Sequence, residues 1–192
     1  MIDKQRLIKL TQRLLQFDSV NPPGNELAVA QCLETDMRSL GLEVKMVSFA
    51  KNRPNVIATL KGTLPRKEAA KKAILITPHI DTVPFGSGWK FNPIGGQIHQ
   101  GRIYGRGASD DKGNAAVGME ALRSLVEDGV KLKRDIIFAA TVDEETGSHQ
   151  GIRPLLAKGI LKPDVALITD SEEFDCIVAQ KGLFHSRVQI FG

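Results

Sequence analysis

The sequence predicts an α/β layered fold built on a mostly parallel sheet. Two observations carry that expectation. Three short apolar runs, 73–77, 136–142 and 165–169, are continuous rather than alternating, which is the pattern of strands buried on both faces. Helical stretches alternate with them, so helices are available to cover the sheet.

The elements follow in order. Over residues 3–17, Leu7, Leu10, Leu14 and Phe17 recur at three- and four-residue steps, widened by Ile8 and Leu15, giving a helix with one buried face. Asn21, Pro22, Pro23 and Gly24 stop it. A second helix is expected from Glu26 to Leu40, with Gly41 as its left-handed cap. Residues 42–49 and 55–60 read as strands, and a basic loop with Lys61, Arg66, Lys67, Lys71 and Lys72 follows. Further helices are expected over 112–127, ended by Gly129, and over 151–157, ended by Gly159.

Composition narrows the function. The 192 residues are 42% hydrophobic and 25% charged, which suits a single domain with its own core and excludes a disordered chain. Two cysteines, Cys32 and Cys176, are too few for a disulfide scaffold and read as small core residues with free thiols in a reducing, cytoplasmic setting. No apolar run nears the roughly 20 residues of a membrane helix, and charges interrupt the amino-terminal segment too often for a signal sequence. The excess of 26 Lys+Arg over 22 Asp+Glu sits largely in one loop, with a single Trp and a single Tyr in the chain, so nucleic acid is not the expected partner.

Each apolar run ends in ionisable residues: His79 and Asp81 after the first, Asp143, Glu144 and Glu145 after the second, Asp170, Glu172 and Glu173 after the third. Ligands of α/β sheets bind beyond the carboxyl ends of the strands, and parallel strands would bring these groups to one edge. Carboxylates gathered at one place repel unless protons or cations intervene. With an imidazole and no thiolate, the set suits zinc, cobalt or manganese. The alternative is a row of turn and cap residues. A glycine-rich segment, Gly105 to Gly113, adds Asp110 and Asp111 at a helix start; it could equally be a loop with an N-cap. A phosphate loop is disfavoured there, since two acids would repel the phosphate.

These segments carry a resemblance. PHIDTVP (78–84), GRIYGRGASDDKG (101–113), TVDEETGSHQG (141–151) and LITD (167–170), in this order and spacing, resemble the co-catalytic zinc amidohydrolases and exopeptidases. That family includes acetylornithine deacetylase, succinyl-diaminopimelate desuccinylase, aminoacylases, glutamate carboxypeptidases, and di- and tripeptidases. FDSVNPPGNE (17–26) and the Trp89…Asn92-Pro93 segment are similar to the acetylornithine deacetylase and desuccinylase branch.

The resemblance implies a three-layer α-β-α zinc-exopeptidase-like fold with a mostly parallel, mixed sheet, incomplete at the carboxyl end. Residues 1–178 would be the amino-terminal part of the catalytic domain and 179–192 the start of a lid and dimerisation domain. Family members are about twice this length, and their final histidine ligand lies in the part without a counterpart here. Carried over by residue, His79, Asp110, Glu145 and Asp170 are the expected ligands of two divalent metal ions, zinc first, cobalt or manganese otherwise. Asp110 would bridge the ions, about 3.5–4 Å apart, and a cis peptide is implied at Asp110–Asp111. Asp81 would orient the His79 imidazole. Glu144 would be the general base toward a metal-bridged hydroxide.

The implied reaction is hydrolysis of an amide bond in an N-acyl amino acid or small peptide, of the acetylornithine deacetylase or succinyl-diaminopimelate desuccinylase kind. The alternatives are a dipeptidase or carboxypeptidase of the same family, or a non-catalytic metal-binding fragment. A homodimer is implied for the full-length protein. Other candidates read as structural: His99 on a surface hairpin, His149 in a loop or cap, His185 in the terminal strand, Lys112 supporting the Asp110 turn or the surface, and Glu172 and Glu173 in a solvated turn.

Overall fold

Helix α1 (Lys4–Leu15) begins where the Asp3 carboxylate accepts the backbone N–H groups of Gln5 and Arg6, satisfying donors that a first turn leaves orphaned. This computed structural model describes residues 1–63, 65, 67, 73–170, 176–179, 181, 182, 184 and 186–191. Leu10, Leu14 and Leu15 line the buried stripe of α1, as the periodicity requires. Helix α2 (Leu27–Ser39) buries Val29, Ala30, Leu33 and Met37, and Gly41 takes φ +74 just beyond it. The two following strands, β1 (Glu43–Ser48) and β2 (Pro54–Leu60), pair antiparallel.

Strand β3 (Ile74–Thr77) leads toward His79. A small hairpin of β4 (Gln97–His99) and β5 (Arg102–Tyr104) stands apart from the main sheet and precedes α3 (Lys112–Glu127). Strand β6 (Ile136–Ala140) then runs into a 3₁₀ turn (Glu144–Thr146), followed by α4 (Ile152–Ala157) and β7 (Val165–Ile168).

The five-stranded sheet has the order β1-β2-β6-β3-β7. β3 pairs parallel with both β6 and β7, while β2 is antiparallel to both its neighbours. The sheet is therefore mixed and mostly parallel. In one row Ile76 faces Phe138 on one side and Leu167 on the other.

The period of two distributes side chains to two cores. Val56, Ala58, Phe138 and Ala140 join residues of α1, α2 and α3 in the larger cluster. Ile57, Leu75 and Ala139 join Leu155 and Leu161 in the smaller one, under α4. Helices thus cover both faces, and full burial of each large side chain contributes about 1.5–3 kcal/mol.

The third apolar run departs from the expectation of burial on both faces. All four residues of β7 are exposed, with Leu167 at 54% and Ile168 at 67%. Among the described residues β7 is an edge strand, and a continuous apolar run specifies strand and hydrophobicity but not a place in the sheet order. Cys176 is likewise exposed rather than in the core, whereas Cys32 is half-buried against the larger cluster. Most of the basic loop lies outside the described residues.

What matters for function is the shared edge. β3, β6 and β7 run in one direction, so the segments after them emerge side by side. A parallel bridge between His79 and Thr141 extends the β3–β6 pairing past the strand ends.

Candidate metal centre

His79 is held from three sides. Its backbone N–H donates to Asp111 Oδ2 at 2.9 Å, its Nδ1 lies 3.1 Å from the Asp81 carbonyl oxygen, and its Nε2 lies 2.8 Å from Asp110 Oδ1. The residue is 3% exposed. One ring nitrogen is thus anchored and the other faces carboxylates.

Asp110 and Asp111 arrive from the glycine-rich turn at the start of α3, through a cis peptide bond between them. The turn closes tightly: a Cβ on Gly113 would lie 2.1 Å from the Ala108 carbonyl oxygen, so only glycine fits there. The two acids part company at this point. The Asp110 side chain is 59% exposed and reaches His79. Asp111 is fully buried and accepts from His79 N–H and from Asn114 Nδ2 at 2.6 Å, so it braces the turn.

Lys112 is also buried, contrary to a surface placement, and its Nζ donates to the Phe17 carbonyl at 2.6 Å. Burial pulls its pKa down to about 8.

Glu144 and Glu145 sit on the 3₁₀ turn after β6. Their backbone N–H groups donate to Asp81, Glu144 to Oδ1 at 3.1 Å and Glu145 to Oδ2 at 3.2 Å. One buried carboxylate therefore fixes both residues and lies 3.4 Å from His79 Nδ1. Glu145 Oε1 accepts from Val83 N–H at 3.1 Å. Glu144 Oε2 stands 3.9 Å from His79 Nε2, and among the described residues its carboxylate accepts no hydrogen bond. Asp170, two residues past β7, is exposed at the same edge.

Candidate ligand atoms converge in two groups that share His79. One atom each from His79, Asp110 and Glu145 lie within 4.8 Å of one another, and so do atoms from His79, Glu144 and Asp170. The sequence expectation separates Glu144 from the ligands; here its carboxylate is drawn into the second group. Asp81 belongs to neither and lies behind the imidazole.

Electrostatics show how crowded the edge is. Burial lowers the His79 pKa, but the bond to Asp110 and the nearby Asp81 carboxylate outweigh it and hold the imidazole up at about 11. Asp110 is correspondingly lowered by His79. Glu145 is pushed up to about 7, first by burial and then by the Asp110 charge. Glu144 is raised by burial and by Asp170, Asp81 and Asp110. An imidazole among more carboxylates than it can neutralise, with no thiolate, is a donor set that fits divalent cations of the zinc, cobalt or manganese kind.

The profile of Peptidase family M20/M25/M40 matches residues 75–188. The chain belongs to this family. It is 33% identical over 172 residues to the N-formyl-4-amino-5-aminomethyl-2-methylpyrimidine deformylase of Halalkalibacterium halodurans, covering 88% of this chain and 39% of that protein. It is 31% identical over 195 residues to the acetylornithine deacetylase of Proteus mirabilis, covering 100% of this chain and 47% of that protein. The M20/M25/M40 chain thus spans 39–47% of the length of these curated relatives. Among solved structures, an M20 family metallo-carboxypeptidase from Sulfolobus solfataricus superposes with a TM-score of 0.72 at 26% identity, covering 88% of this chain and 37% of that one.

The M20/M25/M40 chain also contains neighbours of the site to which sequence reasoning assigned no role. Asn21, read only as a helix stop, donates from Nδ2 to Asp81 Oδ2 at 2.8 Å and to Thr146 Oγ1 at 3.0 Å. Asp143 is buried with φ +67 and binds the Arg53 guanidinium. Their one sequence signal was charged and amide residues set within apolar or proline-rich segments. His99 is exposed on the hairpin against Phe91, and His149 is exposed in the loop before α4. Glu172, Glu173 and His185 lie outside the described residues. Among those described, no helix is long and apolar enough to cross a membrane.

Proposed function

We propose that this chain carries the metal-binding half of a hydrolase that cleaves an amide bond in N-acyl amino acids or small peptides. The observation that supports it most is the pair of ligand groups meeting at His79. In this reading His79, Asp110, Glu145 and Asp170 hold two divalent cations, zinc first. When bound, such a pair supplies Lewis acidity toward the scissile carbonyl and toward water.

The chain's own groups do the rest. Asp81 fixes the imidazole from behind, and its grip on the Glu144 and Glu145 amides fixes the turn. Asp110, whose side chain is 59% exposed and meets His79 Nε2, would in this reading be the ligand common to both cations. Glu144, unencumbered by hydrogen bonds among the described residues, accepts the proton of the attacking water. It returns that proton to the leaving nitrogen as the C–N bond breaks; the new C–O bond gives a carboxylic acid, whose remaining proton passes to the released amine to leave a carboxylate. Residues 1–178 belong to the catalytic domain and 179–192 open the lid in this reading, with a dimer formed through the lid of the full-length protein.

The identity to two deacylating relatives favours N-acyl substrates; the likeness to a metallo-carboxypeptidase supports peptide substrates as the second reading. Assay of the zinc-loaded protein on N-acetyl and N-succinyl amino acids and on dipeptides separates them. Glu144→Ala is expected to lower turnover by about 10²–10⁴-fold with unchanged zinc content. Retained turnover removes Glu144 from the base role, and zinc uptake with no turnover on any substrate leaves a metal-binding fragment.

A further inference from the structure

Behind the turn that carries Glu144 and Glu145 lies a buried charged network with no place in the reaction described above. Arg53, just ahead of β2, directs its guanidinium inward and is 9% exposed. Its Nε and Nη2 donate to the Glu26 carboxylate at 3.0 and 2.7 Å, and its Nη1 donates to Asp143 Oδ1 at 2.9 Å. Glu26 is fully buried and Asp143 is 4% exposed. Asp143 Oδ1 also accepts from Thr146 Oγ1 at 2.7 Å, and its Oδ2 accepts from Gln150 N–H at 3.1 Å.

The geometry has a directional consequence. Asp143 adopts a left-handed backbone, φ +67, in the residue before Glu144. That conformation is uncommon for a residue with a Cβ and persists where its surroundings impose it. It turns the chain out of β6 so that the Glu144 and Glu145 amides face Asp81 and their carboxylates face His79. Asn55 of β2 helps: its Oδ1 accepts Val142 N–H at 3.1 Å.

Gly24 packs directly against the Arg53 guanidinium. A Cβ on Gly24, itself at φ +83, would lie 2.3 Å from Arg53 Cζ. The Asn21–Glu26 segment therefore meets the turn twice, directly through Asn21 and through the Glu26–Arg53 pair.

We propose that Arg53, clamped by Glu26, is a positioning residue that holds Asp143 and thereby presents Glu144 and Glu145 to the metal site. Its work is done before metal arrives, by preorganising the turn. This rests on the metal reading given under Proposed function. An arginine suits the task because its planar fork reaches two carboxylates at once, whereas a lysine reaches them as a point charge.

The test is calorimetric titration of the chain with zinc, alongside thermal melting of the same samples. The wild type comes first: a folded wild type that takes up no zinc overturns the metal reading and this proposal together. Given zinc uptake, Arg53→Lys is expected to weaken zinc binding by about tenfold, the lower end of what loss of a supporting partner costs. Arg53→Met is expected to weaken it further, and the lysine variant thus rescues part of the loss. Glu26→Gln keeps the guanidinium but loosens its clamp, giving a smaller weakening in a milder variant that serves if Arg53→Met does not fold. A merely structural pair would lower the melting temperature and leave the zinc affinity of the folded protein untouched. Wild-type zinc affinity in folded Arg53→Lys and Glu26→Gln overturns the proposal while leaving the metal reading intact.

Discussion

His79 Nε2 and Asp110 Oδ1 lie 2.8 Å apart, a charge-assisted contact between a buried ring and a largely exposed carboxylate. The asymmetry of burial separates the fold from the site. His79 is fixed by its backbone and by Asp81, while the Asp110 carboxylate stands at the solvent side of the ring. Asp110→Asn is expected to lower the melting temperature only modestly, because the partner that His79 loses is largely exposed. Zinc affinity in the same sample is expected to fall by at least about a hundredfold, since the variant removes a ligand charge rather than an outer partner. Equal zinc affinity in calorimetry would remove Asp110 from the site.

Asp81 shows the opposite balance, because it serves both. Its carboxylate is fully buried and accepts two backbone amides and the Asn21 side chain. Asp81→Asn puts an amide NH₂ where one of those donors points, leaving a buried donor unsatisfied at a cost of about 1–3 kcal/mol. Denaturant unfolding should register that loss, and zinc binding should weaken about 10–100-fold. A variant as stable as wild type would mean the Asp81 contacts do not hold the turn.

Far from the site, Arg6 of α1 grips Glu120 of α3 with Nε and Nη2, both at 2.7 Å, and Asp3 N–H adds a third bond. The Arg6 bond holds the Glu120 carboxyl below its usual 4.5, against the opposing effect of burial. A lowered acid stabilises the fold at pH values above its unfolded pKa, and that contribution is lost as pH falls through the folded one. Arg6 is partly solvated, so the expected size is about 1–2 kcal/mol. Melting of Glu120→Gln against wild type should show this gap at pH 7 and its closure as the pH falls below the usual carboxylate range and through the lowered folded value. A gap independent of pH would assign the loss to packing.

How far all this could be read from the chain depends on the range of the interactions. The helices α1, α2 and α3 were legible because their signals are local: a three-to-four-residue apolar step and a glycine just past the end. His79, Glu145 and Asp170 were legible because each follows an apolar run, and parallel strands bring such ends together. The exposure of β7 was not legible, since burial depends on which strand lies next to it. Nor was the buried state of Lys112, whose Nζ finds its acceptor in the Phe17 carbonyl, far away in sequence. The same holds for Glu26, Arg53 and Asp143, and for Asn21 against Asp81: each pair is joined only by the tertiary fold.

The central claim is that the edge formed by β3, β6 and β7 binds divalent cations. Anomalous diffraction at the zinc edge, from crystals of the protein grown with zinc, tests it most directly. The account predicts peaks about 2.0–2.2 Å from His79 Nε2 and from carboxylate oxygens of Asp110, Glu145 and Asp170. Zinc-saturated crystals with no peak at that edge, and with His79 still paired to Asp110, would contradict it.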